Sequence, residues 1–347
     1  MINKAKKPIL LAILAAVCYG ISAPVSKMLL NKIPPTQMAA MLYLGAGFGM
    51  LIVSLFSGKD NREARIAKHE WPYVAGMIAL DIAAPILLMF GLTTTTPANA
   101  SLLNNFEIVA TSVIALSIFK EAIGKRMWIA IAFITISSMI LSFEDISSLS
   151  FSSGSLLVLG ACLCWGLENN CTRMLSLKNP LQIVIIKGFG SGVGALIIAF
   201  ALRDVAFNLL YILFALMLGF FAYGLSILFY IKAQRELGAA RTSAYYAIAP
   251  FVGTALSFGM MRQLPTVSFV IALVIMIAGA YLAVFEKHRH LHTHKAVSHE
   301  HRHSHDDEHH SHTHDKRISG EHSHVHFHEG ITHEHEHTPD LHHAHSH

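Results

Sequence analysis

Apolar runs of about 20 residues, the length an α-helix needs to cross a bilayer core of roughly 30 Å, recur along the first 285 positions of this chain. Ten are read, over residues 8–30, 34–57, 71–91, 97–119, 126–143, 154–175, 180–202, 208–231, 239–261 and 265–285. Hydrocarbon offers no water to the backbone, so each crossing segment has to satisfy its own hydrogen bonds. Runs of this length do so as helices, whereas barrel strands need only about 10 alternating residues. The expected fold is an all-α membrane protein of ten transmembrane helices. A composition of 53% hydrophobic and 14% charged residues, with mean hydropathy +0.48, excludes an ordinary soluble domain. The first run follows Lys4, Lys6 and Lys7 as a signal peptide would, but Pro24 follows the only small-residue pair near its end, so it is expected to stay as a span.

Lysine and arginine collect in cytoplasmic loops, which fixes the orientation. With the N-terminus inside, fifteen of them fall on inner segments, and only Lys32, Arg203 and Arg262 fall outside. Ten spans return the chain to the cytoplasm, so both termini are expected there. The four cysteines lie within spans and read as free thiols.

Two stretches 146 positions apart repeat each other. Cys18-Tyr19-Gly20 runs on to Lys27-Met28-Leu29, and Cys164-Trp165-Gly166 runs on to Arg173-Met174-Leu175. Residues 1–145 and 146–287 thus read as two five-span halves, and an odd number of spans per half inserts the copies in opposite directions. Spans four and nine also echo each other. Pro97-Ala98-Asn99-Ala100-Ser101-Leu102-Leu103 precedes Lys120-Glu121, and Gly238-Ala239-Ala240-Arg241-Thr242-Ser243-Ala244 precedes Pro250 and Arg262-Gln263. On these features residues 8–285 resemble the drug/metabolite transporter superfamily, EamA type. The resemblance implies a secondary transporter of small molecules in a bacterial inner membrane. Two positions depart from the family pattern. Gln263 stands where the second repeat usually has a Glu matching Glu121, and Glu107-Ile108 replace the proline represented by Pro250.

Ionisable groups at membrane depth cost at least a few kcal/mol and are functional candidates for that reason. Lys27, Asp81, Glu107, Glu168 and Lys187 lie inside spans. Lys27 and Arg173 sit close enough to span ends to snorkel. Counting depth at about 1.5 Å per residue sets Glu168 and Lys187 at similar levels on spans six and seven, which fits a buried ion pair acting as a clamp, a gate or a substrate contact. At about 100° per residue, Asn104, Glu107 and Thr111 share one face of span four, with Ser101, Asn105 and Ser112 beside it. This arc belongs in the bundle interior or a wet cavity, as a substrate or proton-coupling surface or as a packing surface. Asp81 sits four residues before Pro85, whose ring frees the carbonyl at the same position, and reads either as a cation or proton site or as an aspartate bonded to a neighbouring helix. Tyr245, Tyr246 and Pro250 form the span-nine counterpart of the Glu107 region. Trp165 lies deep enough to line a cavity, while Trp71 and Trp128 read as interfacial anchors. Cys164, Glu168 and Cys171 recur at i, i+4 and i+7, with Cys18 at the repeat-related place, an arrangement that suits packing better than a metal because no histidine lies in the spans.

Of 24 histidines, 23 follow residue 287. His288, His290, His292, His294, His299, His301, His303, His305, His309, His310, His312 and His314 head the tract, which has too little apolar content for a core and is expected to be disordered. Its imidazoles are candidate ligands for Zn²⁺, Ni²⁺, Co²⁺ or Cu²⁺. No phosphate-cradling G-x-x-x-x-G-K-[ST] loop occurs, and no nucleophile with a base partner can be assigned, so neither nucleotide hydrolysis nor enzymatic catalysis is expected. The favoured expectation is metabolite export by alternating access, with a proton as candidate coupling ion and no required cofactor. The alternatives are a transition-metal transporter and a membrane-anchored metal store. No nucleic-acid partner is expected.

Overall fold

The computed structural model describes residues 2–56, 66–119, 124–145, 150–175, 178–237, 242, 245–262 and 264–284, and in the tail 288–293, 297–303, 322–328 and 332–337. The body is a helical bundle. Among the described residues eight helices are long and apolar enough to cross a membrane: Lys7–Leu29, Pro35–Phe56, Lys68–Thr94, Pro97–Ile118, Lys125–Ser142, Pro180–Ala201, Leu209–Ala233 and Val267–Val284. Two of the ten expected spans stand apart. Ser153–Arg173 (span six) has the length but carries Glu168, Asn169, Asn170 and Thr172, which dilute its apolarity. Ala249–Met261 (span nine) is a short helix of 13 residues preceded by a turn at Ala247-Ile248.

Several spans are interrupted. Span one breaks at Ile21, between helices Ile2–Gly20 and Ser22–Leu29. Span four breaks at Asn104-Asn105, between Pro97–Leu103 and Phe106–Phe119, where tighter i→i+3 bonds link Asn105 N to Leu102 O and Glu107 N to Asn104 O. This corrects the reading of span four as one continuous polar arc, because the face turns at the asparagines. Span eight widens into a π-helical turn over Phe220–Leu225. Span three runs unbroken from Trp71 to Thr94 through Pro85.

Span two packs along span seven, three along six, one along eight, five along ten, six against four, and nine against both one and four. Exchanging each span for the one five places along maps this set onto itself. Three with six becomes eight with one, and four with six becomes nine with one. Glycines make the closest crossings possible. A Cβ on Gly188 would lie 2.4 Å from Gly47 Cα, and one on Gly219 would lie 2.0 Å from Leu42 O. Lipid gives helices little hydrophobic reason to associate, so close backbone approach through small residues supplies the contact instead. Leu51, Phe56, Ile197, Leu209, Val267 and Val274 are among the large apolar side chains left exposed on the outside, as a lipid-facing surface requires. Trp71 and Trp128 are exposed too.

The tail is described only in part. Its described stretches form strands, His288–Thr293 paired antiparallel with Thr332–His337 and Val297–His303 with His322–His328. Alternating His-x-His text has the period of two that a strand accommodates. Of the candidate ligands, His294, His305, His309, His310, His312 and His314 lie outside the described residues.

Candidate functional site

Spans three, six and seven bring three ionisable side chains together. Lys187 Nζ lies 2.8 Å from Glu168 Oε1 and 3.2 Å from Asp81 Oδ2. The Tyr43 hydroxyl, on span two, donates to Asp81 Oδ1 at 2.8 Å, and the Thr172 hydroxyl donates to Glu168 Oε1. Asp81 is 1% and Glu168 2% exposed, so this is a buried cluster rather than a surface pair. The backbone explains how it assembles. Lys187 precedes Gly188, whose missing side chain lets span seven lie against span two and sets the ammonium near Tyr43, while Gly76 leaves span three room for Cys171 of span six. Sequence reasoning paired Glu168 with Lys187 by depth; the structure adds Asp81 and Tyr43 to that pair.

The next residues of span six face span four. Asn169 Nδ2 donates to Glu107 Oε1 at 2.6 Å and to Thr111 Oγ1 at 3.3 Å, and Asn170 Nδ2 donates to the carbonyls of Thr111 and Gly166. One turn of span six therefore presents Glu168 to the lysine cluster and Asn169 to Glu107. Asn105 turns inward to donate to Leu102 O, serving the helix break itself.

A cleft opens where the interruptions of spans one, four and nine meet. It is lined by Tyr19, Ser22, Ser101, Asn104, Ala249 and Pro250, among others. Ser22 and Ser101 are 4% and 3% exposed, and neither hydroxyl oxygen makes a hydrogen bond among the described residues, although Ser22 faces the Tyr223 hydroxyl. Buried polar atoms are normally paired, and an unpaired one costs about 1–3 kcal/mol, so an unfilled hydroxyl on a cleft wall invites a ligand or water. Tyr19 of the wall belongs to a series of packed tyrosine rings. Ring centroids of Tyr19 lie 6.0 Å from Tyr223 and 6.1 Å from Tyr246, Tyr43 lies 5.3 Å from Tyr223, and Tyr230 lies 5.0 Å from Tyr246. The two repeat glycines act alike here. A Cβ on Gly20 would meet Ala249 O of span nine at 2.8 Å, and one on Gly166 would meet Ala110 Cβ of span four at 2.6 Å. Each copy of the motif lets its span cross the interrupted helix of the other half.

Other expectations change. Trp165 packs into the core and is not among the cleft-lining residues, because Gly166 draws its helix close to span four. Lys27 does not simply snorkel: its ammonium donates to the carbonyls of Leu92, Thr93 (3.1 Å) and Thr95 (3.1 Å), capping the end of span three where those carbonyls lack helical partners. Tyr245 is half-buried beside Tyr246. Among the described residues no group of three His, Cys, Asp or Glu is placed to hold a metal ion, and all four cysteines are free. Tyr43, Tyr223, Ser22 and Asn169 were not singled out from the sequence. Ser22 and Asn169 had a signal there, since the repeat offset of 146 pairs Ser22 with Glu168 and Asn169 is its neighbour.

Comparison with known proteins agrees with this architecture. A protein of Methanothermobacter thermautotrophicus, described as an uncharacterized transporter, is 26% identical over 289 residues, 78% of this chain and 84% of its own. The uncharacterized transporter YyaM of Bacillus subtilis is 24% identical over 273 residues, 76% of this chain and 89% of its own. A solved crystal structure superposes with a TM-score of 0.58 at 14% identity, covering 80% of this chain and 96% of that one, which shows a shared fold. The EamA-like transporter family matches residues 6–143 and 152–285. The chain therefore belongs to the EamA-like transporter family and is a multi-pass membrane protein.

Proposed function

We propose that this chain is a secondary transporter that moves a small organic metabolite out across a bacterial inner membrane by alternating access, with both termini in the cytoplasm. The observation that carries the reading is the cleft at the meeting of spans one, four and nine, with the unpartnered hydroxyls of Ser22 and Ser101 on its wall. Interrupted helices at the interface of two repeats are where such folds hold their cargo. A packing pattern unchanged by exchange of the halves supports two five-span copies, and five spans each gives opposite insertion. Within this reading Asn104 and Glu107 contact cargo, Asn169, itself bonded to Thr111, holds Glu107 in place, and Tyr246 backs Tyr19 of the cleft wall. The tail binds transition metals through its histidines and tunes transport from the cytoplasm. Metal as the cargo itself finds less support, because among the described residues no three His, Cys, Asp or Glu are placed together to hold one.

Thermal unfolding of the purified full-length protein against a panel of metabolites and divalent metals tests this. A ligand at 100 times its Kd stabilises by about 2.7 kcal/mol. A metabolite shift is expected that survives deletion of residues 288–347 and is lost in Ser101→Ala and Asn104→Ala. A zinc shift, by contrast, is expected to vanish with the tail. Metabolite shifts indifferent to both cleft substitutions would refute the assignment.

A further inference from the structure

The cluster on spans three, six and seven contains two acids and one base. With all three ionised its formal charge is −1, and the three side chains are 1–12% exposed, so water does little to offset it. An uncompensated charge at this depth is costly enough that the neutral form is favoured. Two kinds of guest restore neutrality, a metal cation or a proton. The place a metal ion would take, between the two carboxylates, is filled by the Lys187 ammonium, and a second cation there would be repelled. A proton needs no such space. Among the described residues, the other side chains hydrogen-bonded to the two acids are neutral: Tyr43 from span two on Asp81, and Thr172 from span six on Glu168. Cys171, also on span six, and Tyr223, on span eight, lie within electrostatic reach, as does Glu107, which carries its own Asn169 bond.

We propose that Asp81 and Glu168 share one exchangeable proton and that this cluster, rather than the cargo cleft, is the coupling site of the transporter. The helices suggest how the proton would be released. Lys187 rides beside Gly188 on the close crossing of spans two and seven, whereas both carboxyl groups ride on spans three and six, which pack along their length. The ion pairs bridge these two units. When the units shift, Lys187 parts from one carboxyl group and approaches the other. The O–H bond of the shared acid then breaks, its proton passes to water on the open side, and the new carboxylate is paired by the ammonium while the parted carboxylate is solvated by the same admitted water; the return shift, with a proton taken up from water on the other side, restores the neutral cluster. Cargo occupancy is felt through span six, where Glu168 in the cluster is followed directly by Asn169 on Glu107.

Infrared spectroscopy of the full-length protein in liposomes at neutral pH tests the proton count, through the C=O stretch of a protonated carboxyl group. Glu107→Gln serves as the background, removing the other carboxyl group singled out in the spans. In that background one protonated carboxyl group per chain is expected. Either isosteric change, Asp81→Asn or Glu168→Gln, should abolish it, because the remaining carboxylate is then matched one to one by Lys187. Lys187→Met should double it. Absence of the band before any change at the cluster overturns the proposal without need of the variants. Loss of the band in only one of the two amide variants, or in neither, also overturns it, because the proton would then belong to one residue or lie elsewhere. The coupling role rests on the transport reading, but the two fail separately: ligand-dependent stabilisation at Ser101 and Asn104 would persist in a transporter with no proton at this cluster.

Discussion

Spans one and six open with the same words and do different work. At the position where span six has Glu168, span one has Ser22. Around Glu168 the neighbours are charged, Lys187 and Asp81, and every carboxylate is engaged. Around Ser22 they are neutral, Tyr223 and Tyr19, and the hydroxyl is left without a bond on the wall of a cleft. Two spans with matching sequence thus supply a closed electrostatic lock on one side and an open polar surface on the other. Both spans keep the backbone requirement, a glycine at 20 and at 166, while the side chains two positions on differ in charge.

The sharpest way to break this contrast is at the lock. Lys187→Met leaves two buried acids facing each other and is expected to cost about 3–5 kcal/mol in denaturant or thermal unfolding. Combining it with Asp81→Asn and Glu168→Gln should recover most of that loss, since an uncharged cluster has nothing to neutralise. Tyr43→Phe removes a hydrogen bond to a charged acceptor and should cost about 1.5–3 kcal/mol, measurable in the same assay. Gly20→Ala and Gly166→Ala test the shared part. Each forces a methyl group against the opposite half, with an expected loss of about 1–3 kcal/mol and similar values for the two sites. The smallest effect belongs to the open side. Ser22→Ala deletes a hydroxyl that has no partner and should change stability by less than about 0.5 kcal/mol, while weakening stabilisation by any cleft ligand.

The apolar runs made the helices and most of their limits legible, because membrane depth imposes length on sequence directly. Depth also made the Glu168 and Lys187 pairing legible, since two residues at one level on consecutive spans have few other options. Rotation about the helix axes was not available, so Asp81 could be given a depth but no partner, and Glu107 could not be matched to Asn169. Tyr43 gave no sign, since a tyrosine on an apolar span reads as packing. The break at Asn104-Asn105 was misread for a related reason: two asparagines fit a polar arc on an ideal helix as well as they fit an interruption. Lys27 shows the limit of snorkelling as a rule, because a lysine near a span end can meet a neighbouring helix terminus before it reaches water.

If the two halves enter the membrane in opposite directions, repeat-related loop residues report it. Lys32 and Lys178 are 146 positions apart and follow spans one and six. In a chain whose four cysteines have been replaced, Lys32→Cys should react with a membrane-impermeant thiol reagent on intact cells, and Lys178→Cys should react only after the membrane is opened. Labelling of both from the same side would contradict the inverted arrangement, and with it a cleft formed between opposed halves.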